Sequence, residues 1–290
     1  MTSEPETATG ESAGSTADAV ASGDDQTGQR DILRAQIREG VSELQRPVDG
    51  LFLSAVSAGL DIGFGPLLMA VVLSVAEFSF PTPLVEELLL ANAYAFGFVL
   101  VVLGRSELFT EHTTLAVLPV LNRQATLGQL GRPWGTVYLG NVLGGALFAG
   151  FAVLVAPALG VAEPRAFVEI AASVADHGWW VLLAASVLAG WLMGLLSWLV
   201  AAAQDTISRL VFVWLIAAAI GFAHLPHSIA GTVEVLARVF VTSALSIRGF
   251  ARFLTAATVG NAIGGAVFVG LLKYSHVVRS VPAADRVDID

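Results

Sequence analysis

Residues 221–231 read G-F-A-H-L-P-H-S-I-A-G and interrupt an apolar run, residues 210–220, that is suited to the middle of a membrane. The proline removes a backbone donor and clashes with the preceding turn, so a helix cannot continue unchanged through it. In hydrocarbon, irregular backbone persists only where it is buried in protein or lines a cavity. The stretch therefore predicts a membrane helix that is broken beside a path, with His224 and His227 at the break.

The composition of the whole chain is that of a helical membrane protein. Of its 290 residues, 55% are hydrophobic and 13% are charged, whereas soluble domains carry about 25% charged residues. Residues 134–157 and 178–203 hold no charged side chain, and each run exceeds the roughly 20 residues that span a bilayer. The chain has no cysteine, which excludes disulfides, thiol catalysis and cysteine metal sites. No pattern indicates a metal, a cofactor or nucleic-acid binding.

The hydrophobic pattern predicts six membrane crossings that form an internal repeat. Residues 140–150, GNVLGGALFAG, match residues 260–270, GNAIGGAVFVG, at seven of eleven positions with an offset of 120. Three crossings in each copy make the copies opposite in orientation, and paired broken helices in inverted repeats are typical of transporters. The predicted crossings are residues 51–76, 88–120 broken at 105–112, 134–155, 178–203, 210 onward broken at 223–230, and 253–272.

The predicted segments divide the chain into four parts. Residues 1–29 hold six acidic and no basic residues and are expected to be a disordered tail. Residues 30–47 are expected to be an amphipathic cytoplasmic helix on the membrane surface, capped by Asp31. Residues 48–275 form the transmembrane domain, in which residues 158–177 are expected to be a loop, and residues 276–290 are a C-terminal cytoplasmic tail.

The distribution of basic residues predicts the orientation in the membrane. An even number of crossings places both termini on one side. Arginines of the N-terminal segment, the loop at residues 121–133 and the C-terminal Lys273 and Arg279 all fall on that side. The positive-inside rule makes this side cytoplasmic, which predicts a multi-pass protein of the plasma (inner) membrane.

Several motifs, in order and at matching spacing, resemble the formate/nitrite transporter family over about residues 40–275. They are AGLDIGFG from Ala58, ELFT at residues 107–110, GNVLGG from Gly140, the stretch at residues 221–231 and GNAIGG from Gly260. The resemblance implies an all-α, aquaporin-like fold of six transmembrane helices, in two inverted three-helix repeats with helices 2 and 5 broken. It also implies a homopentamer in the lipid bilayer, with one pore in each protomer for small monovalent anions such as formate or nitrite.

The resemblance also assigns candidate residues to the pathway. It places Leu108, Phe109 and Thr110 in the loop that breaks helix 2, where they form an apolar constriction with one hydroxyl, and His227 at the centre. Ordinary core packing is the competing interpretation for Leu108 and Phe109, and satisfaction by backbone groups is the competing one for His227. Three additional residues at 224–226 leave His224 as a second candidate, which either supports the loop or lines a vestibule. Phe222 is a further candidate residue of the pathway.

Other polar residues are expected to support the broken loops. Asn141 and Asn261 occupy equivalent repeat positions, where an amide can bond the freed backbone groups or, alternatively, a neighbouring helix. Glu107 and Ser228 lie at the two breaks and are assigned to the same supporting role. Arg105, Glu107, Glu111 and His112 are either anchors of the pore loop or residues near the membrane surface, and a pair between Arg105 and Glu107 is one of the options.

The predicted mechanism is proton-linked passage of a weak acid. A bare anion is costly to place in an apolar constriction, and a histidine that titrates near neutral pH can hand it a proton. A neutral-solute channel is an alternative, although the paired Asn-Pro-Ala motif of such channels is absent. A non-conducting membrane sensor or scaffold of the same fold is another. An enzyme is not expected, because paired acids on one helix and metal-spaced histidines are missing.

Overall fold

The computed structural model of this chain describes residues 28–75, 82–242 and 245–279, and every regular element in these ranges is a helix. Most of the two predicted tails lies outside the described residues. The four-part division of the chain stays a prediction. The helices are α1 (Gln29–Gln45), α2 (Val48–Asp61), α3 (Phe64–Val75), α4 (Pro83–Gly104), α5 (Phe109–Leu115), α6 (Val117–Leu121), α7 (Leu127–Ala158), α8 (Pro164–Ala175), α9 (Trp179–Ala202), α10 (Thr206–Phe222), α11 (Ala230–Val241), α12 (Ile247–Ile263), a π-helical segment (Gly264–Leu271) and α13 (Leu272–Arg279).

These helices form six crossings in two inverted three-helix repeats. Helices that are long and apolar enough to span a membrane account for five of the crossings, namely Val48–Val75, Pro83–Gly104, Leu127–Ala158, Trp179–Ala202 and Ile247–Arg279. The other crossing begins with the shorter apolar helix α10 and is completed by α11. The second crossing is completed by α5 and α6 in the same way.

The first crossing is bent where a straight helix was predicted. α2 ends at Asp61 and α3 begins at Phe64. Pro66 lies in the first turn of α3, where its missing N–H removes the bond that a continuous helix would make to Ile62. The bend brings Gly65 against the backbone of Tyr94, so that a Cβ at this glycine would lie 2.7 Å from the tyrosine carbonyl oxygen.

Glycines bring the helices of each repeat into close contact in the same way. A Cβ at Gly144 of α7 would collide with the Val56 carbonyl oxygen of α2 and lie 3.0 Å from the Cα of Gly59. In the second repeat, a Cβ at Gly264 would collide with the Val187 carbonyl oxygen of α9. Since lipid provides no hydrophobic force between helices, this close backbone approach supplies much of the packing energy.

The segment at residues 158–177 is a helix over much of its length, so the prediction of a loop there is wrong. Pro164 occupies the first turn of α8, where its missing N–H costs nothing. The buried face of α8 includes Phe167, Ile170 and Val174, and the helix packs on α3 and α11. The charges at either end concealed this short amphipathic helix, which is too short to cross a membrane.

α1 matches the predicted amphipathic helix closely, but its apolar face contacts protein. Its buried residues include Leu33 and Ile37, which cluster with Leu118, Trp198 and Val277. Its N-cap is Gly28, and no side chain caps it, so the predicted cap at Asp31 is wrong. The helix therefore lies against α6, α9 and α13 at the face of the bundle where the chain enters.

Both predicted breaks are present, and each contains a residue in the left-handed region. The first lies between Gly104 and Phe109, with Arg105 at φ 56°. The helix resumes four residues earlier than predicted, so Phe109 and Thr110 belong to the first turn of α5. The second break lies between Phe222 and Ala230, with His224 at φ 47°.

A substitution on α7 tests the glycine packing. Gly144→Ala should lower the melting temperature of the detergent-purified protein, because overpacking costs about 1–3 kcal/mol. Gly135→Ala is the matched control, since a Cβ at this position of α7 meets nothing within 4 Å. Equal melting temperatures for the two variants would contradict the close approach of α2 and α7.

Candidate functional site

Asn141 holds the first break in place from the middle of α7. Its Nδ2 donates to the carbonyl oxygens of Ala55 and Glu107, both at 2.7 Å. Its Oδ1 accepts from the N–H of Phe109 at 2.8 Å. The side chain is fully buried, and it satisfies both ends of the irregular loop together with one carbonyl of α2.

Asn261 makes the equivalent contacts at the second break. Its Nδ2 donates to the carbonyl oxygens of Ser186 and Pro226, at 2.8 Å and 3.1 Å, and its Oδ1 accepts from the N–H of Ser228 at 2.8 Å. Pro226 is one of the three additional residues in this loop, and its carbonyl takes the place that Glu107 holds in the first repeat. The two asparagines thus serve the two breaks by a single geometry.

Thr110 and His227 meet at the point where the two breaks face each other. Thr110 Oγ1 and His227 Nε2 are 2.8 Å apart, and both side chains are buried. His227 Nδ1 accepts from the N–H groups of Ile229 at 3.3 Å and Ala230 at 3.2 Å. A neutral ring therefore carries its proton on Nε2 and donates it to Thr110. The ring of Phe98 packs edge-on against the imidazole at 5.0 Å between centroids.

Leu108 and Phe109 lie buried immediately before Thr110. Phe109 makes T-shaped contacts with Tyr138 at 5.0 Å and Trp134 at 6.0 Å. These α7 side chains fix the ring position. Core packing and a constriction both fit this arrangement, so the constriction stays a prediction.

The second histidine lies apart from this centre. His224 is partly exposed, and its Nε2 lies 3.1 Å from Glu87 Oε2 on α4. Phe222 is 44% exposed at the end of α10. The structure places His227, and not His224, opposite Thr110, while His224 lies on the side of the break toward Glu87.

Glu107 connects the first break to α1, and the structure does not adopt the optional pair with Arg105. Glu107 contacts Arg46 rather than Arg105, and its Oε2 lies 2.5 Å from His112 Nε2. Arg46 NH1 also reaches Glu43 at 3.1 Å. Glu107 thus links α1 to α5, in addition to the supporting role predicted for it.

A polar pocket of about 480 Å³ opens beside this network. We call it the inner pocket, and its walls come from α1, the first break and the ends of α9 and α10. Burial raises the pKa of Glu43, and the neighbouring Glu107 raises it further, although Arg46 opposes the shift. The polar residues that line it are Gln36, Glu39, Glu43, Arg46, Arg105, Ser106, Glu107, Glu111, Ser197, Thr206 and Arg209.

Three side chains of this network have the spacing of metal ligands. One ligand atom from each of Glu43, Glu107 and His112 lies within 4.8 Å of the others. The guanidinium of Arg46 bonds to both carboxylates, so a cation of the protein already pairs with the two acids. The cluster therefore serves as an ion-pair network.

The sequence interpretation missed several residues of the site. Arg46 and Glu43 reach the first break from a helix that the sequence separates from it by about 60 residues, a relation that no local pattern can reveal. Phe98 is one of many apolar residues on α4. Glu234, a buried acid on α11, could have been found as a charge within an apolar half-helix.

Comparisons with known proteins agree with this architecture. The family model described as formate/nitrite transporter matches residues 30–275. The inner membrane protein YfdC of Escherichia coli (strain K12) is 32% identical over 245 residues, covering 83% of this chain and 76% of YfdC. The nitrite transporter NirC of the same organism is 25% identical over 240 residues, covering 82% of this chain and 87% of NirC.

A solved structure shows the same fold. The structure described as a pentameric formate channel with formate bound aligns with a TM-score of 0.67 and 23% sequence identity, covering 80% of this chain and 98% of that chain. The six crossings with broken second and fifth helices are therefore the aquaporin-like fold that the sequence motifs predicted.

Removal of one asparagine tests the support of the breaks. Asn141→Leu should lower the melting temperature of the purified protein, because each buried backbone group left unpaired costs about 1–3 kcal/mol. Gln124→Leu is the control, because Gln124 is an exposed amide residue in the loop before α7 and surface changes usually stay within about 0.5 kcal/mol. A melting temperature for Asn141→Leu no lower than that of the control would contradict the role.

Proposed function

Because the chain belongs to the formate/nitrite transporter family, we propose that it carries small monovalent weak-acid anions, such as formate or nitrite, across the membrane. We infer that it does so as a homopentamer with one pathway in each protomer, an assembly supported by the related pentameric formate channel. The inner membrane location of YfdC and the positive-inside rule support a plasma (inner) membrane protein with both termini in the cytoplasm.

The pairing of Thr110 with His227 carries the proposal. The pair joins the two breaks at 2.8 Å, in the part of a membrane protein where irregular backbone requires burial or a path. The inner pocket opens on the side of the pair toward α1. Polar groups at this depth are expensive and are usually functional.

The chemistry proposed for the pair is stabilisation of an anion that has lost its water. The hydroxyl of Thr110 and the Nε2–H of His227 are neutral donors, which lower the cost of a small oxyanion without trapping it. Transport is linked to protons, because a weak acid crosses an apolar layer more readily in its neutral form. Leu108 and Phe109 form that layer in the proposal, with Phe222 and His224 lining the vestibule on the other side.

Flux into proteoliposomes tests this function. The wild-type protein should take up formate or nitrite in a saturable, pH-dependent way. His227→Asn and Thr110→Val should each lower that uptake about tenfold or more, since losing a hydrogen bond to a charged group costs about 1.5–3 kcal/mol. His177→Asn is the control, because the ring of this exposed histidine bonds only to the Ser173 carbonyl among the described residues, and the bond from Arg252 to the backbone carbonyl of His177 does not depend on the ring.

The outcomes separate the competing functions. If His227→Asn shows the same pH-dependent flux as the wild type, the proposed role of the Thr110–His227 pair is contradicted. Flux of glycerol or water without flux of anions would indicate a neutral-solute channel. An assembled wild-type protein that passes none of formate, nitrite, hydrosulfide, acetate, glycerol or water would overturn transport and favour a membrane scaffold.

A further inference from the structure

Glu234 is a buried carboxyl that the proposed function leaves without a role. It lies in the second turn of α11 and is 4% exposed. Among the described residues it has neither a hydrogen bond nor an ion pair. An isolated acid in the interior of a membrane protein is costly, so its presence calls for an explanation beyond packing.

The carboxyl lines a small cavity that also includes Tyr94 of α4, whereas the inner pocket is lined by Val102 and Leu103, two turns further along the same helix. We call this small cavity the outer cavity; it offers about 10 Å³ to the centre of a water molecule, roughly enough for one water. It is lined by Tyr94, Ser173, Gly221 and His224 as well as Glu234.

A short aromatic layer separates the carboxyl from the central pair. Tyr94, which lines the outer cavity, packs on Phe98 at 5.2 Å between centroids. Phe98 in turn packs on His227 at 5.0 Å. A solute that passes from the outer cavity toward His227 therefore meets Glu234 before it meets the central histidine.

The surrounding ionisable groups provide no counter-ion for Glu234. Tyr94 is a neutral phenol, and His224 is directed to Glu87. α3 carries no ionisable residue, and Glu169 of α8 is exposed. Arg248 of α12 is exposed. Other ionisable groups of the packed helices have partners elsewhere, among them Arg238 of α11 with Asp176, Tyr138 of α7 with Thr258, and Arg252 of α12 with the His177 carbonyl.

This setting makes the charge of Glu234 decisive for a passing anion. An ionised carboxylate at this position repels the anion strongly, because the low dielectric of the interior amplifies the repulsion. A protonated carboxyl instead offers an O–H donor, and protonated carboxyls are shared readily with a second carboxylate.

We propose that Glu234 is the proton-donating residue of the outer half of the pathway, which makes the pathway selective for anions of weak acids. The protonated carboxyl binds the anion and transfers its proton to it, so that glutamate becomes a carboxylate and the anion becomes the neutral acid. The neutral acid passes the aromatic layer, and the carboxylate regains a proton from the outer solution through the outer cavity. Anions of strong acids, such as nitrate, cannot accept the proton and are rejected. The inference rests on the transport function proposed above.

The test compares formate and nitrate uptake by Glu234→Gln in proteoliposomes at a series of outer pH values, after subtraction of protein-free vesicles. The wild-type protein should exclude nitrate, and its formate uptake should rise as outer pH falls, by up to about tenfold per pH unit. Glu234→Gln cannot donate a proton and does not repel anions. Its formate uptake should become nearly independent of outer pH, and nitrate should enter. Glu169→Gln, at the exposed acid of α8, should behave as the wild type.

The results distinguish this inference from the proposed function. Wild-type flux with an unchanged pH profile and nitrate exclusion in Glu234→Gln would overturn the role of Glu234 and leave transport intact. Absence of wild-type flux would overturn transport itself. If Glu234→Gln does not assemble, Glu234→Asp decides, because it retains a carboxyl and should keep both the pH dependence and the nitrate exclusion. Loss of either property in an assembled Glu234→Asp protein would also overturn the proposal.

Discussion

The structure depends on hydrogen bonds from two buried asparagines to the backbone of two broken helices. A helix interrupted within a membrane exposes N–H and C=O groups to a medium that cannot bond them. Asn141 and Asn261 each supply one acceptor and two donor bonds at the two breaks. Once these groups are satisfied, polar side chains can be held at membrane depth. The close packing at Gly144 and Gly264 brings the helices that carry the two asparagines close to their neighbours in the bundle.

The consequence is a layered arrangement along one line through the protomer. The inner pocket holds ion pairs that tie α1 to the first break through Arg46 and Glu107. The centre contains neutral donors, Thr110 and His227, in tight contact. The outer side contains Glu234 as an acid with no counter-ion among the described residues. Paired charges in the inner pocket thus give way to neutral donors at the centre. On the outer side His224 is paired with Glu87, and Glu234 is the buried acid without a counter-ion among the described residues.

The sequence predicted the elements that depend on local chemistry and on the repeat. Proline and glycine in apolar runs predicted the breaks, and the repeated GN–GG stretches predicted Asn141 and Asn261 as related residues. Features that depend on tertiary contact were missed. The apolar face of α8 has meaning only against α3 and α11, and α1 was assigned to lipid because its partners could not be seen. The ion pair between Arg46 and Glu107 joins distant segments, which no spacing rule can detect.

In the proposed path the anion passes between Thr110 and His227 within each protomer. The most direct measurement is an experimental structure of the assembled wild-type protein with formate at saturating concentration. Density for formate is expected within hydrogen-bonding distance of Thr110 Oγ1 and His227 Nε2. Density for formate found only between protomers would contradict this path, if Thr110 and His227 remain bonded to each other and no opening leads to them from either side of the membrane.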